Sequence, residues 1–136
     1  MKRVLFAALG AGLLLGPWTS GGRTDDQDKV AKLMRRKLAQ SQKVLEGIAV
    51  QDFKSIEKHA QELIETSREA GWRAFRTAQY EVYSSDFRRS ARNLVENARK
   101  KNIDAAALSY VELTLTCVKC HKHVREVRMT RLDGEW

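Results

Sequence analysis

Residues that interrupt helices are scarce in this sequence. Its 136 residues include one proline and eight glycines, whereas Leu, Ala, Glu, Lys and Arg, which favour helices, are abundant. No internal repeat or low-complexity segment is present, and the length suits one domain with a substantial core. We therefore expect a single all-α domain.

Cysteine is equally scarce. The chain has two, Cys117 and Cys120, in the stretch Cys117-Val118-Lys119-Cys120-His121. Two cysteines three residues apart, with a histidine directly after the second, form the arrangement that attaches c-type haem. Because these positions share one face of a helix, both thiols can form thioethers with haem vinyl groups. His121 then lies beneath the iron as the proximal ligand.

Other chemistries of paired cysteines fit this stretch less well. A thioredoxin-type redox pair needs a βαβ setting, but the surrounding sequence is helical and offers no strand. A zinc site needs further ligands at zinc-like spacing, and the chain has no other cysteine. A helical bundle without haem, in which the motif occurs by chance, stays open as an alternative.

A long apolar run occurs at the N-terminus. Lys2 and Arg3 precede residues 4–15, which are apolar or glycine, and this order is typical of a secretory signal peptide. The run is short for a membrane-spanning helix, although a retained anchor is the alternative. We predict a signal peptide over residues 1–22 and an exported, periplasmic domain over residues 23–136 without a membrane anchor. Export agrees with the motif, because c-type haem is attached outside the cytoplasm.

Basic side chains outnumber acidic ones, with 25 Lys and Arg against 17 Asp and Glu and a net charge of +8. The predicted leader holds two of the basic residues and no acidic one, so the mature chain would carry +6. The basic residues are scattered and form no basic motif with interleaved aromatics, which argues against nucleic-acid binding. The surplus favours transient acidic protein partners, or an anionic surface, through electrostatic steering.

Apolar periodicity predicts four helices. The connection between the second and third is rich in aromatic residues and is expected to cover one end of the bundle. Short connections between the first and second helices and between the third and fourth predict an antiparallel up-down-up-down four-helix bundle with covalently bound haem. The expected ranges are Thr24 to about Ile48, Asp52 to Gly71, Ser84 to Arg99 and Asp104 to about Met129.

Met34 is the candidate ligand for the other side of the iron. At a rise of about 1.5 Å per residue, Met34 on the first helix and His121 on the antiparallel last helix reach similar heights. Methionine is a known second axial ligand in c-type cytochromes, and the alternative is a core methionine that fills a gap. Leu94, with Ala91 and Phe87, is expected to wall the pocket.

The four helices, with the haem motif near the end of the last one, resemble the class II c-type cytochromes, meaning cytochrome c prime and its low-spin relatives. The most specific part is Cys117-x-x-Cys120-His121 followed by Val124 and Arg125, although an aromatic residue is frequent in the family at position 124. The resemblance implies one covalent haem c, with the charge of Arg125 tuning the iron. A solvated surface arginine is the alternative. Relatives commonly form homodimers through their first two helices.

The family divides by the distal residue of the first helix. A methionine ligand gives a six-coordinate electron carrier, whereas a non-coordinating side chain leaves the iron open to nitric oxide or carbon monoxide. Met34 resembles the first kind, so the resemblance implies an electron-transfer protein that meets other redox proteins and is not an enzyme. A gas-binding cytochrome c prime is the alternative. A peroxidase fits less well, because no distal His with Arg pair is evident.

Overall fold

The computed structural model describes residues 21–73 and 75–133, which form four α-helices, one short 3-10 turn and no strand. The predicted all-helical architecture is confirmed for these residues. The signal peptide predicted over residues 1–22 lies outside them, apart from its last two positions. The helices are α1 (Gly21–Ala49), α2 (Phe53–Thr66), α3 (Ala78–Arg99) and α4 (Ile103–Asp133), and the 3-10 turn spans Ala70–Arg73.

Two tight turns with the same backbone pattern join α1 to α2 and α3 to α4. In each, one residue has a left-handed backbone, Gln51 with φ 56° and Lys101 with φ 53°. A capping side chain follows directly: Asp52 and Asn102 each accept a hydrogen bond from the backbone N–H three residues on, at 3.1 and 3.0 Å. These caps begin α2 and α4 where the sequence predicts them.

The connection between α2 and α3 differs from the prediction. α2 ends at Thr66, well before Gly71, and the Ser67 hydroxyl donates to the Ile64 carbonyl at 2.6 Å. α3 begins at Ala78, so its predicted start at Ser84 is wrong. The cause is Thr77, whose Oγ1 accepts the backbone N–H of Tyr80 at 3.1 Å and caps the helix early.

The helices pack mainly against their neighbours in sequence, while α1 and α4 make a narrower contact. All four contribute to one hydrophobic core. No helix in the described part is both long and apolar enough to cross a membrane. The largest fully buried side chains are Val44, Ile56, Leu63, Phe87, Leu94 and Leu113.

The inward face of α1 is not the one that its leucines predict. Leu38 and Leu45 belong to the apolar spacing of α1, yet their exposed fractions are 59% and 50%. The buried line instead runs through Leu33, Lys37 and Val44. These three positions are separated by four and seven residues, so they share one side of a helix.

Candidate functional site

The motif residues lie on α4, with the thiols toward the core. Cys117 and Cys120 are free, half-buried and packed against the hydrophobic core. His121 is more exposed and follows Tyr110 by about three helical turns, so the two side chains lie on the same side of α4. Tyr110 faces α1, since its hydroxyl lies 3.3 Å from that of Ser41. The imidazole is therefore on the α1 side of the helix.

Lys37 of α1 reaches these thiols and was not among the predicted site residues. Its exposed fraction is 8%, and it is the only charged side chain among the buried residues of the described part. Its ammonium lies close enough to the Cys117 thiol to influence it electrostatically. Burial lowers the pKa of Lys37, and the nearby Cys117 and Cys120 oppose that shift.

Two aromatic rings lie against the Lys37 ammonium. Its Nζ lies 4.2 Å from the centroid of Phe87 and 4.5 Å from that of Trp72. The two rings contact each other, with centroids 4.9 Å apart and an interplanar angle of 39°. The Trp72 indole N–H donates to Ser84 Oγ at 2.9 Å, which fixes the ring. The cation thus sits in an aromatic enclosure beside the thiols.

Part of the aromatic stretch between α2 and α3 forms this enclosure, although it was expected to cover the end of the bundle. Trp72 and Tyr80 are both buried, and the Tyr80 hydroxyl donates to the Trp72 carbonyl. Burial, together with the neighbouring Cys120, raises the pKa of Tyr80 to about 12. The interior beside the cysteines is therefore aromatic and largely closed to water.

Two pairs of neighbouring residues on α1 and α4 define their relative register. Ser41 meets Tyr110, and Lys37, one turn earlier on α1, lies close to Cys117, further along α4. The two helices are therefore antiparallel. Met34 lies nearly one turn before Lys37, so it falls at the level of the turn of α4 after Cys117, which contains Cys120 and His121. Met34 is half-buried against the core, and its coordination of iron stays a prediction.

The surroundings shift the pKa of both the Cys120 thiol and the His121 imidazole. Burial raises the pKa of Cys120, and the Lys37 charge opposes this shift. Burial lowers the pKa of His121, and the positive charges of Lys37 and Arg125 lower it further. Arg125 is exposed, so it acts on His121 through its charge rather than through burial.

Leu94, which was expected to wall the pocket, lies away from the thiols, and His123 of α4 contacts the start of α3. Leu94 is fully buried in α3, one turn before Asn97, whose amide donates to Ser109 Oγ of α4 at 3.1 Å. Leu94 therefore lies in the core between the levels of Ser109 and Cys117, more than one turn from the thiol. His123 faces α3, with its Nε2 2.8 Å from Thr77 Oγ1.

The residues present fit a covalently attached haem. Two free thiols one turn apart, an adjacent imidazole and aromatic walls are the groups that such a macrocycle needs. No cluster of three or more His, Cys, Asp or Glu side chains that could hold a metal ion occurs in the described ranges. Comparisons with protein-family models, curated proteins and solved structures found no match. The functional interpretation therefore depends on the residues of this chain.

Proposed function

We propose that this chain is an exported monohaem c-type cytochrome, similar to the low-spin class II cytochromes, that transfers electrons between other redox proteins. One observation carries the proposal. Cys117 and Cys120 lie toward the interior of a helical bundle, on the same helix as the adjacent His121, beside an aromatic enclosure. A thioredoxin-type redox pair needs a βαβ setting, and a zinc site needs further ligands, of which the described residues hold no cluster.

Each part of the site has a role in holding haem. Cys117 and Cys120 would anchor it through thioethers, and His121 would bind the iron from α4. Met34 would supply the second axial ligand from α1, at the level that the helix register gives it. The haem supplies the one-electron chemistry when bound. The chain contributes rigid helices and buried aromatic rings, which exclude water and keep the ligands in place.

The surface around the motif supports an acidic partner. Four basic side chains are exposed on the same part of α4 as the cysteines, and the described residues give none of them a salt bridge. A positive surface steers negatively charged proteins toward itself and acts in the range of the Debye length. Short encounters at this surface would suit electron exchange. The four side chains are Lys119, Lys122, Arg125 and Arg128.

A gas-binding cytochrome is the second candidate. Lys37 of α1 lies close to the motif, whereas Met34 is only half-buried beside the core. If Met34 stays away from the iron, the sixth position is open to nitric oxide or carbon monoxide. The fold and the proximal side are the same in both proposals.

Optical and electron paramagnetic spectra of the protein, matured in a host that attaches c-type haem, test the function. An electron carrier gives low-spin spectra in the ferric and ferrous states, does not bind carbon monoxide readily, and is reduced and reoxidised reversibly. A high-spin ferric spectrum with ready binding of carbon monoxide would contradict electron transfer through a Met34-ligated iron and support the gas-binding protein. A colourless protein would overturn both candidates.

A further inference from the structure

We propose that Lys37 sets the reduction potential of the haem site, as a buried positive charge that stabilises the ferrous state. The inference rests on the proposed function. It also goes beyond it, because it gives α1 a second residue that acts on the iron besides Met34. The observation is that the ammonium of Lys37 is buried against the rings of Trp72 and Phe87, close to Cys117, and the Cys117 thiol is one of the two proposed points of haem attachment.

The Lys37 ammonium is held in place. Trp72 and Phe87 present their rings to Nζ at 4.5 and 4.2 Å, and the negative potential of an aromatic face attracts a cation. The side chain is almost wholly removed from solvent. Water therefore screens this charge much less than the charge of a surface lysine.

The charge of Lys37 has no acidic partner among the described residues. Every salt bridge in the described ranges is formed by another basic side chain. Its neighbours Trp72 and Phe87 are uncharged and leave the positive charge of the ammonium unneutralised.

The helix register brings Lys37 toward the motif, because the Ser41 hydroxyl, one turn later on α1, lies 3.3 Å from that of Tyr110 on the antiparallel α4. Cys117, Cys120 and His121 span about one turn further along α4. Any haem held by both cysteines and His121 therefore has its iron within the range of this charge.

The sign of the effect follows from the charge of the iron. The ferric site carries one more positive charge than the ferrous site, so a nearby ammonium destabilises the ferric form and raises the potential. At the effective dielectric constant of a partly buried site, removing one such charge changes the reduction equilibrium constant by about tenfold. For a one-electron couple this equals a fall of about 59 mV.

Redox titration of three variants tests the inference. Lys37→Gln removes the charge, Lys37→Arg keeps it, and Lys32→Gln removes an exposed charge from the same helix. We expect the potential to fall by about 59 mV in Lys37→Gln, and to stay close to the parent in the other two. If circular dichroism shows that Lys37→Gln is unfolded, Lys37→Leu serves as the second neutral variant, because leucine can pack on the aromatic rings.

Two results would overturn the role of Lys37. Either both neutral variants keep the parent potential, or they turn a low-spin iron high-spin, which would make Lys37 a ligand instead of a fixed charge. The parent protein separates this failure from failure of the proposed function. If the parent has no covalent haem, the function fails first. If it has low-spin covalent haem and the neutral variants are unshifted, only the inference about Lys37 fails.

Discussion

The hydroxyls of Ser41 and Tyr110 lie 3.3 Å apart and join the middle of α1 to α4. Lys37 and Cys117 lie close together one to two turns further along the same pair of antiparallel helices. Together they bring the early part of α1 to the level of the haem motif. The residues of α1 before Ser41 therefore lie nearest the motif on this side, and in the proposed cytochrome they would face the iron.

Met34→Leu tests the second ligand. Leucine keeps the apolar contact with the core but has no sulfur to bind iron, so we expect the low-spin spectrum to become high-spin and carbon monoxide to bind readily. Optical and paramagnetic spectra report both changes. Met129→Leu is the matched control, because Met129 is on α4 with an exposed fraction of 64%. An unchanged low-spin spectrum in Met34→Leu would exclude Met34 as the ligand.

His121→Ala and His123→Ala separate the proximal ligand from its neighbour. We expect His121→Ala to lose the parent spectrum while the thioethers keep the haem attached. His123→Ala should keep that spectrum, because His123 faces Thr77 on α3. This variant loses one hydrogen bond, so we expect its free energy of unfolding, measured in urea, to fall by about 1 kcal/mol. Loss of the parent spectrum in His123→Ala alone would contradict the site.

The placement of the motif residues on one helix was predictable because it depends only on short spacing. Cys117, Cys120 and His121 must share one side of a helix, and the sequence alone shows that they do. The caps Asp52 and Asn102 come directly after a helix break, so the starts of α2 and α4 were close to their predicted positions. The start of α3 was missed because Thr77 caps a stretch whose aromatic residues have weak helix propensity.

The burial of Lys37 could not be predicted from apolar periodicity, because that pattern treats every lysine as exposed. Its burial is stabilised by groups from elsewhere in the chain, namely Trp72, Phe87 on α3 and Cys117 on α4. A weak signal was present in the spacing of Leu33, Lys37 and Val44. Leu38, one position further along the helix, indicates a different inward side of α1, and it is exposed in the structure.

Leu94→Ala tests the core beyond the motif. Leu94 has no exposed area, so its truncation leaves a cavity as well as losing apolar burial. We expect the unfolding free energy to fall by about 2–5 kcal/mol in urea denaturation. Leu38→Ala makes the same chemical change at an exposed position and should cost no more than about 0.5 kcal/mol. Equal losses in the two variants would contradict the packing of α3.

Tyr80 gives the fold a dependence on alkaline pH. Its pKa is about 12 in the folded protein against 10.0 for the free side chain. Its stabilising contribution is therefore complete below about pH 10 and is lost as the pH rises through about 12. Tyrosinate absorbance, taken as the difference between the parent and Tyr80→Phe to cancel other absorbance, should show a component near pH 12. A difference curve that is complete at pH 10 would contradict this environment.

The mass of the purified protein tests the central claim most directly. After expression with a c-type haem maturation system, we expect the denatured chain to keep its colour and to gain the mass of one haem, with peptides that link it to Cys117 and Cys120. Cys117→Ser with Cys120→Ser should abolish both signals and is the control for haem that is bound without covalent attachment. A colourless parent protein with both thiols free would contradict the account.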